Sequence, residues 1–327
     1  MDALADVLDG VRARSADFCR AVLEPPWALR IIDGAALALA TVLRGQAWVV
    51  PDDGEPVLIR AGEVAVIRGP QPYTVGDDPS TPPMLQVLAG NALRTMDGVD
   101  VSTAEALDLI GQAGPDQAEP EGATVVASGT YQVGGDIGAR LLSALPGIVH
   151  VPRDPDVAPV LALLGAELDR DDPGQQVVLD RLLDLALIAT LRAWFARPEA
   201  QAPGWYRALS DPVVGPTLRL IHDDPAHPWT LAELAERAGA SRAAFARRFS
   251  SLVGVPPMTY VTGWRLTMAA DLLRQTDATV ETIARRVGYA NAFALSVAFK
   301  RVRGTTPRHH RLGSGGPGHL TLAGSPV

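Results

Sequence analysis

Residues 231–257 and 280–307 are two copies of one pattern, and no other feature constrains the chain as much. The copies read LAELAERAGASRAAFARRFSSLVGVPP and VETIARRVGYANAFALSVAFKRVRGTTP. Leu231-x-x-Leu234-Ala235 aligns with Val280-x-x-Ile283-Ala284, and Gly239 with Gly288. After one inserted residue, Phe249 aligns with Phe299, Gly254 with Gly304 and Pro257 with Pro307. An apolar pair followed by alanine lets a first helix pack closely. Glycine accepts the left-handed turn, and a second helix then buries its phenylalanines and turns a polar face outward. Each copy therefore reads as a helix-turn-helix. Thr230 caps the first helix of the first copy and Ser241 caps its second.

The charge is distributed as unevenly as the pattern. Net charge over the 327 residues is −8. Residues 1–210 hold 15 Arg against 29 acidic residues, whereas 241–311 hold 12 basic residues against 3 acidic ones. A basic segment suits polyanion binding through counterion release, and it equally suits a solvated helical surface. Charge alone does not choose between the two. Lys300 is the single lysine among 28 arginines, which looks like coding bias.

Ahead of the repeat the pattern differs. Residues 1–20 have helical spacing. Short apolar runs follow at 36–43, 47–50, 56–59, 63–67, 72–75 and 84–89, separated by Gly, Asp and Pro turns, as in a β-sandwich or barrel. Residues 111–122 read as a polar loop, 123–133 as a further strand, and 136–145, 157–170 and 175–197 as helices. The helix at 175–197 is apolar on more than one face and should pack against several elements. Residues 198–205 read as a linker, and helices dominate from 211 onward. No run reaches the ~20 apolar residues of a membrane span, and the first twenty residues have no apolar leader core. A cytoplasmic protein is the expectation.

With PWTLAELAERAGASRAAFARRF, the connecting PPMTYVTGWRLTMAADLLRQT and IARRVGYANAFALSVAFKRVRGTTPRHHR in view, the C-terminal region resembles the AraC/XylS family of transcription regulators over about 211–312. The resemblance implies two helix-turn-helix units joined by a rigid helix. Their second helices would enter successive major-groove segments of double-stranded DNA, as tandem half-sites about one helical turn apart. In the first reading helix it implies that Phe245 and Phe249 are core, with Ser241, Arg242, Ala243, Ala246 and Arg247 at the DNA. Arg247 matches the family's base-reading arginine, and a guanidinium can donate two bonds to guanine O6 and N7. Arg248 is expected on phosphate or in a surface ion pair. In the second helix Leu295 and Phe299 would be core, and Asn291, Ala292, Phe293 and Ser296 exposed. The chain departs from the family at Val297, which occupies the position of Arg247, and at Phe293, where a polar base reader is common. Two readings stand open: these side chains contact thymine methyls, or the unit supplies phosphate affinity through Lys300, Arg301 and Arg303. His309 and His310 point in different directions on a helix, so solvation or phosphate contact is expected of them rather than a metal.

The N-terminal region resembles the cupin-type sensor domain of some of these regulators, on PWALRI, LRGQAWVV and LIRAGEVAVIRGPQPYTV. Metal-dependent cupins need a histidine cluster with a carboxylate. Here the first histidine is His150, placed outside the barrel strands, and Glu63 reads as a solvated strand-start residue, so no metal, cofactor or catalytic residue is expected. Trp27, Arg30, Arg44, Trp48, Arg68 and Tyr73 are candidates to line a pocket for a small, anionic molecule, each with packing or surface roles as the alternative. Cys19, the lone cysteine, lies near Arg14 and Arg20. Nearby cations favour its thiolate and a redox or electrophile switch, and a small buried hydrophobe is the commoner role.

The expected fold class is α+β: an N-terminal cupin-like β-barrel with helices, and a C-terminal all-α domain with two helix-turn-helix units. The domains are 1–205, including a helical segment at 155–200 that joins subunits or relays the sensor state, 209–312, and a disordered tail at 313–327. The expected protein is a homodimeric, sequence-specific transcription regulator answering to an unknown small molecule or redox signal. DNA, RNA polymerase and a second copy are its expected partners, with no membrane. A cupin-type small-molecule enzyme carrying a DNA-binding module is the rival.

Overall fold

A computed structural model describes residues 11–12, 19–102, 105–106, 122–168, 170, 172–197, 200 and 202–313. The described residues divide into two compact units. One comprises 11–133 and 142–201, and the other 134–141 and 202–313.

The first unit holds two sheets. Its strands are β1 (Val11–Arg12), β2 (Cys19–Leu23), β3 (Ala28–Ile31), β4 (Leu37–Arg44), β5 (Gln46–Pro51), β6 (Val57–Arg60), β7 (Val64–Arg68), β8 (Tyr73–Gly76), β9 (Leu85–Val87), β10 (Leu93–Thr95), β11 (Asp100–Val101), β12 (Thr124–Val133) and β13 (Ile148–Val151). One sheet runs β1-β12-β4-β7-β13, with β2 also on β12; the other runs β11-β10-β9-β3-β8-β5-β6. All pairings are antiparallel except β3 with β9. The expected barrel is thus built as two sheets enclosing one core. Ala38, Ala40, Ala65 and Ile67 from the first sheet meet Ala47, Val49, Tyr73, Val75 and Leu85 from the second.

The unbroken apolar run of β4 has a physical reason, since the strand is buried on both faces. Ala38, Ala40 and Val42 enter the core between the sheets. Leu37, Leu39 and Thr41 are buried on the opposite face, where the Thr41 hydroxyl donates to the Glu63 carbonyl at 2.8 Å. The helix α1 (Gly135–Ala144) follows β12 and spans the division between the units. Helices α2 (Ala158–Leu168) and α3 (Gln175–Phe195) pack together, and α3 lies on β7 and β13. Leu179, Leu183, Leu187 and Leu191 form its buried stripe. The Tyr131 hydroxyl, on β12, donates to the Leu183 carbonyl at 2.8 Å.

Three expectations change. The helix read over 1–20 is replaced by strand at 11–12 and 19–20, and its other residues lie outside the described ones, as does most of the loop at 111–122 and the tail beyond 313. His150 is in a strand after all: β13 pairs with β7 with His150 opposite Ala65. Glu63 is buried rather than solvated. Its carboxylate accepts from the Arg60 N–H at 3.0 Å and lies 3.0 Å from His150 Nε2. Burial raises its pKa, but these partners outweigh burial and hold it below the usual range.

The second unit, besides residues 135–141 of α1, is built of α4 (Gly204–Leu209), α5 (Val214–Asp223), α6 (Leu231–Arg237), α7 (Arg242–Val253), α8 (Pro257–Gln275), α9 (Val280–Arg286), α10 (Ala292–Arg303) and α11 (Pro307–Arg311). No helix among the described residues is long and apolar enough to cross a membrane.

Tyr131→Phe tests the strand–helix tie in the first unit. Deleting the hydroxyl removes one buried hydrogen bond without a cavity. A loss of ~1 kcal/mol is expected, read as a lower urea midpoint with an unchanged slope. An unchanged midpoint would show that the bond contributes nothing.

Candidate nucleic-acid interface

The two repeats fold alike because the same local devices recur. Thr230 accepts from the Glu233 N–H at 3.2 Å and starts α6; Thr279 accepts from the Thr282 N–H at 3.1 Å and starts α9. The turn after α6 has Gly239 at φ 63° and an Ala240 N–H bond to the Ala235 carbonyl of 3.0 Å. The turn after α9 has Gly288 at φ 84° and a Tyr289 N–H bond to Ala284 of 2.8 Å. A side chain at Gly288 would also strike the Ala226 carbonyl and the Arg265 guanidinium, so two constraints select glycine there. Ser241 and Asn291 then cap α7 and α10, accepting from Ala244 and Ala294 at 3.3 and 2.9 Å.

Each unit has its own core, and α8 belongs to both. Phe245 and Phe249 are fully buried, and Phe249 meets the Tyr260 ring of α8 edge-on at 5.7 Å. The Tyr260 hydroxyl is 2.8 Å from His222 Nε2, and the His222 ring lies 4.1 Å from Trp264. Further along α8, Leu266, Ala269, Ala270 and Leu273 pack with Ile283, Ala284, Leu295 and Phe299.

The residues left outward are mostly those the sequence proposes. On α7 and its cap, Ser241, Arg242, Ala243 and Arg247 are exposed and Ala246 is half-buried. On α10 and its cap, Asn291, Phe293, Val297, Lys300 and Arg301 are exposed, and Ala292 and Ser296 are half-buried. Among the described residues Arg242, Arg247, Lys300 and Arg301 have no carboxylate partner.

Other basic residues are occupied, so the raw charge of this segment overstates its free cations. Arg303 corrects the sequence reading: its side chain is only 13% exposed, ion-paired with Asp136 and 3.3 Å from Thr267 Oγ1. Arg248 forms the ion pair rather than a phosphate contact, gripping Asp211 with three bonds of 2.7–3.1 Å. Arg265 donates to the Pro225 and His227 carbonyls, and Arg311 to those of Leu273 and Ala278. Arg274 pairs with Asp136 at 2.7 Å and Arg285 with Glu281 at 2.9 Å. His310 is buried against Phe299, its pKa lowered to about 4 by burial and by Arg274 and Arg303, so it is neutral and not a phosphate ligand; His309 is exposed.

Three carboxylates escaped the sequence reading. Glu281 reaches across its turn to accept from the Ala292 N–H at 2.7 Å and caps α10 alongside Asn291. Asp211 accepts from the Val213 and Val214 N–H groups, both at 2.9 Å, besides holding Arg248. Its pKa falls to about 2, chiefly through Arg248. Asp271 on α8 accepts from the Asp136 and Ile137 N–H groups at 2.6 and 3.1 Å, at the start of α1. Gly135 there has φ 73°, and a side chain on it would collide with the Asp271 carboxylate. Burial raises the Asp271 pKa to about 6 against the pull of Ile137 and Arg274.

The sensor candidates do not converge. Strand alternation explains why. Trp27 and Tyr73 point into the core between the sheets, where burial raises the Tyr73 pKa; the Trp27 Nε1 is buried there without a hydrogen-bond partner. Arg30 is on the outer face, bonded to Asp52 at 2.6 Å and Thr74 at 3.3 Å. Trp48 alternates with the core residues Ala47 and Val49 and is half-buried. Arg68 donates to the Leu142 carbonyl, and Arg44 is exposed. Cys19 pairs opposite Ser128 in the sheet, and its side chain lies outside the described ones. Among the described residues no three His, Cys, Asp or Glu side chains gather as metal ligands.

A two-sheet domain joined to a duplicated helix-turn-helix defines a DNA-binding regulator with a cupin domain. Comparison with known proteins agrees. The family described as Cupin matches residues 2–196, and that described as Helix-turn-helix domain matches 234–312. A protein of Streptomyces lividans described as an AraC-like transcription regulator is 35% identical over 317 residues, covering 95% of this chain and 98% of its own. One of the same description from Streptomyces antibioticus is 34% identical, with 95% and 98% covered. The HTH-type transcriptional regulator AlkR of Acinetobacter baylyi is 27% identical, covering 95% and 99%. The chain belongs to the AraC-like transcription regulators and is a sequence-specific DNA-binding protein of that family.

The two perturbed aspartates give opposite pH signatures. Asp211 is depressed, so its contribution is full above about pH 4 and is lost as pH falls through about 2. Asp271 is raised, so its contribution is full below about pH 4 and is lost as pH rises through about 6. The stability of wild type relative to Asp211→Asn should therefore rise from pH 2 to 4. Relative to Asp271→Asn it should fall from pH 4 to 6. Denaturant titrations across this range check both signs; equal slopes in the two comparisons would contradict the assignment.

Proposed function

We propose that residues 209–312 are the DNA-binding domain and that α7 and α10 are its reading helices, set into successive major-groove segments of tandem half-sites. The observation that carries this is the matched pair of outward faces on two helices built on one repeated frame. Arg247 is the principal base reader of the first half-site, free of any carboxylate among the described residues, with its guanidinium suited to guanine. Arg242, Lys300 and Arg301 supply phosphate affinity, with Ser241, Ala243, Ala246, Asn291, Ala292 and Ser296 at close approach. Arg303 is withdrawn from that set, because it is engaged with Asp136.

Residues 1–205 form a sensor and dimerisation domain rather than an enzyme, acting in the cytoplasm. Leu163 on α2 and Val177, Val178 and Leu185 on α3 are exposed apolar residues, which supports a homodimer through these helices. An effector would bind this domain; the Trp27 Nε1, buried without a hydrogen-bond partner in the core that also holds Tyr73, supports a site there. RNA polymerase is the further partner that this reading assigns.

Binding of full-length protein to a selected duplex should weaken steeply as salt rises. Arg247→Ala should cost ~1–3 kcal/mol on that site and relax preference at one base pair, with little change on unrelated DNA. Equal loss on specific and unrelated duplexes would make Arg247 a phosphate contact, and no salt-dependent binding would remove the reading altogether.

A further inference from the structure

The two reading helices superpose in sequence with an offset of fifty residues, fixed by Phe245 on Leu295 and Phe249 on Phe299, all four buried. At that offset the outward positions pair as Ala243 with Phe293, Ala246 with Ser296 and Arg247 with Val297. The burial agrees at each pair: exposed with exposed, half-buried with half-buried, exposed with exposed. The frame is the same and the chemistry is inverted. Where α7 offers a methyl and a guanidinium, α10 offers a benzyl ring and an isopropyl group.

The exposure is large for such side chains. Phe293 is 78% exposed and Val297 53% exposed, one helical turn apart on a single face. A phenylalanine left in water at a helix start forgoes most of the stabilisation that its burial would give. It has no partner in its own unit's core, which Leu295 and Phe299 already fill. Lys300 and Arg301 follow in the next turn and are exposed, so the apolar pair sits beside free positive charge. A patch of that composition complements a surface that carries methyl groups between lines of phosphate. The major groove is such a surface, because thymine projects its C5-methyl there while cytosine projects hydrogen.

Resting on the reading of α10 as a groove-entering helix, we propose that Phe293 and Val297 recognise the C5-methyl groups of thymines in the second half-site. The chain thus reads one half-site by hydrogen bonding through Arg247 and the other by apolar contact. Specificity in the second half-site comes from shape and methyl burial, with Lys300 and Arg301 anchoring the adjoining backbone.

Full-length protein is used to select a site from random duplexes, and each thymine of that site is replaced in turn by deoxyuridine, which removes the methyl alone. Expected is a three- to tenfold loss of affinity at one or two positions under α10. The same replacements should have no effect on a Phe293→Ala/Val297→Ala variant. That variant should still bind the first half-site and show the wild-type salt dependence, which reports that it is folded. The proposal is overturned if the selected second half-site contains no thymine, or if deoxyuridine is neutral throughout it while wild type binds the site specifically. In the latter case the apolar pair faces a protein partner. It is also overturned if the variant keeps the full deoxyuridine loss. Failure to select any duplex strikes the DNA-binding reading itself and is distinguished by the absence of salt-dependent binding.

Discussion

Burial of α8 between the two repeats is the interaction on which the helical unit depends. Neither helix-turn-helix could bury its phenylalanines on its own two short helices. Tyr260, Val261 and Trp264 complete the first core, and Leu266, Ala269, Ala270 and Leu273 complete the second. Nineteen residues of continuous helix, about 28 Å long at 1.5 Å per residue, therefore carry both cores on one rod. A rod buried along its length cannot bend without opening one core or the other. That makes the separation of α7 and α10 a property of the fold rather than of the DNA.

Electrostatics in this unit divide between building and reading. Asp211, Glu281, Asp271 and Asp136 each satisfy a helix start or an arginine, and they consume Arg248, Arg285, Arg274 and Arg303. Arg265 and Arg311 spend their donors on backbone carbonyls at chain turns. Arg242, Arg247, Lys300 and Arg301, exposed on α7 and α10, have no carboxylate partner among the described residues. A count of arginines along the sequence cannot make this division, because the guanidinium is chosen for both tasks for the same reason: it carries several donors in a fixed plane.

The legible parts of the chain were those with a period. The repeat carried the two helical hairpins, the Thr230 and Ser241 caps and the core Phe245, Phe249 and Phe299, while the matching caps Thr279 and Asn291 came from the structure. Apolar runs between turn residues located β4 to β8 within a residue or two, and the helices at 136–145, 157–170 and 175–197 likewise. What escaped was set by distant partners. Ile148–Val151 is four residues long and becomes a strand only because β7 offers an edge, and this brings His150 to Glu63. Residues 11–12 and 19–20 have helical spacing but pair with β12. Arg303 has the sequence of a groove-facing cation and is turned inward by Asp136, 167 residues earlier in the chain. The sensor candidates have only their residue types in common. Alternation along β3, β5 and β8 then split them between two faces, leaving Trp27 and Tyr73 inside.

The central claim is that α8 fixes the distance between two reading helices of different chemistry. Inserting base pairs between the half-sites of a selected operator tests it most directly, with full-length protein and specific affinity as the readout. Five added base pairs rotate the second half-site to the opposite face of the duplex; ten restore the face and lengthen the gap by about one turn. A rigid α8 predicts that both insertions reduce binding to that of the first half-site alone. Recovery of full affinity at ten base pairs would show that the two units move independently, and would contradict the account.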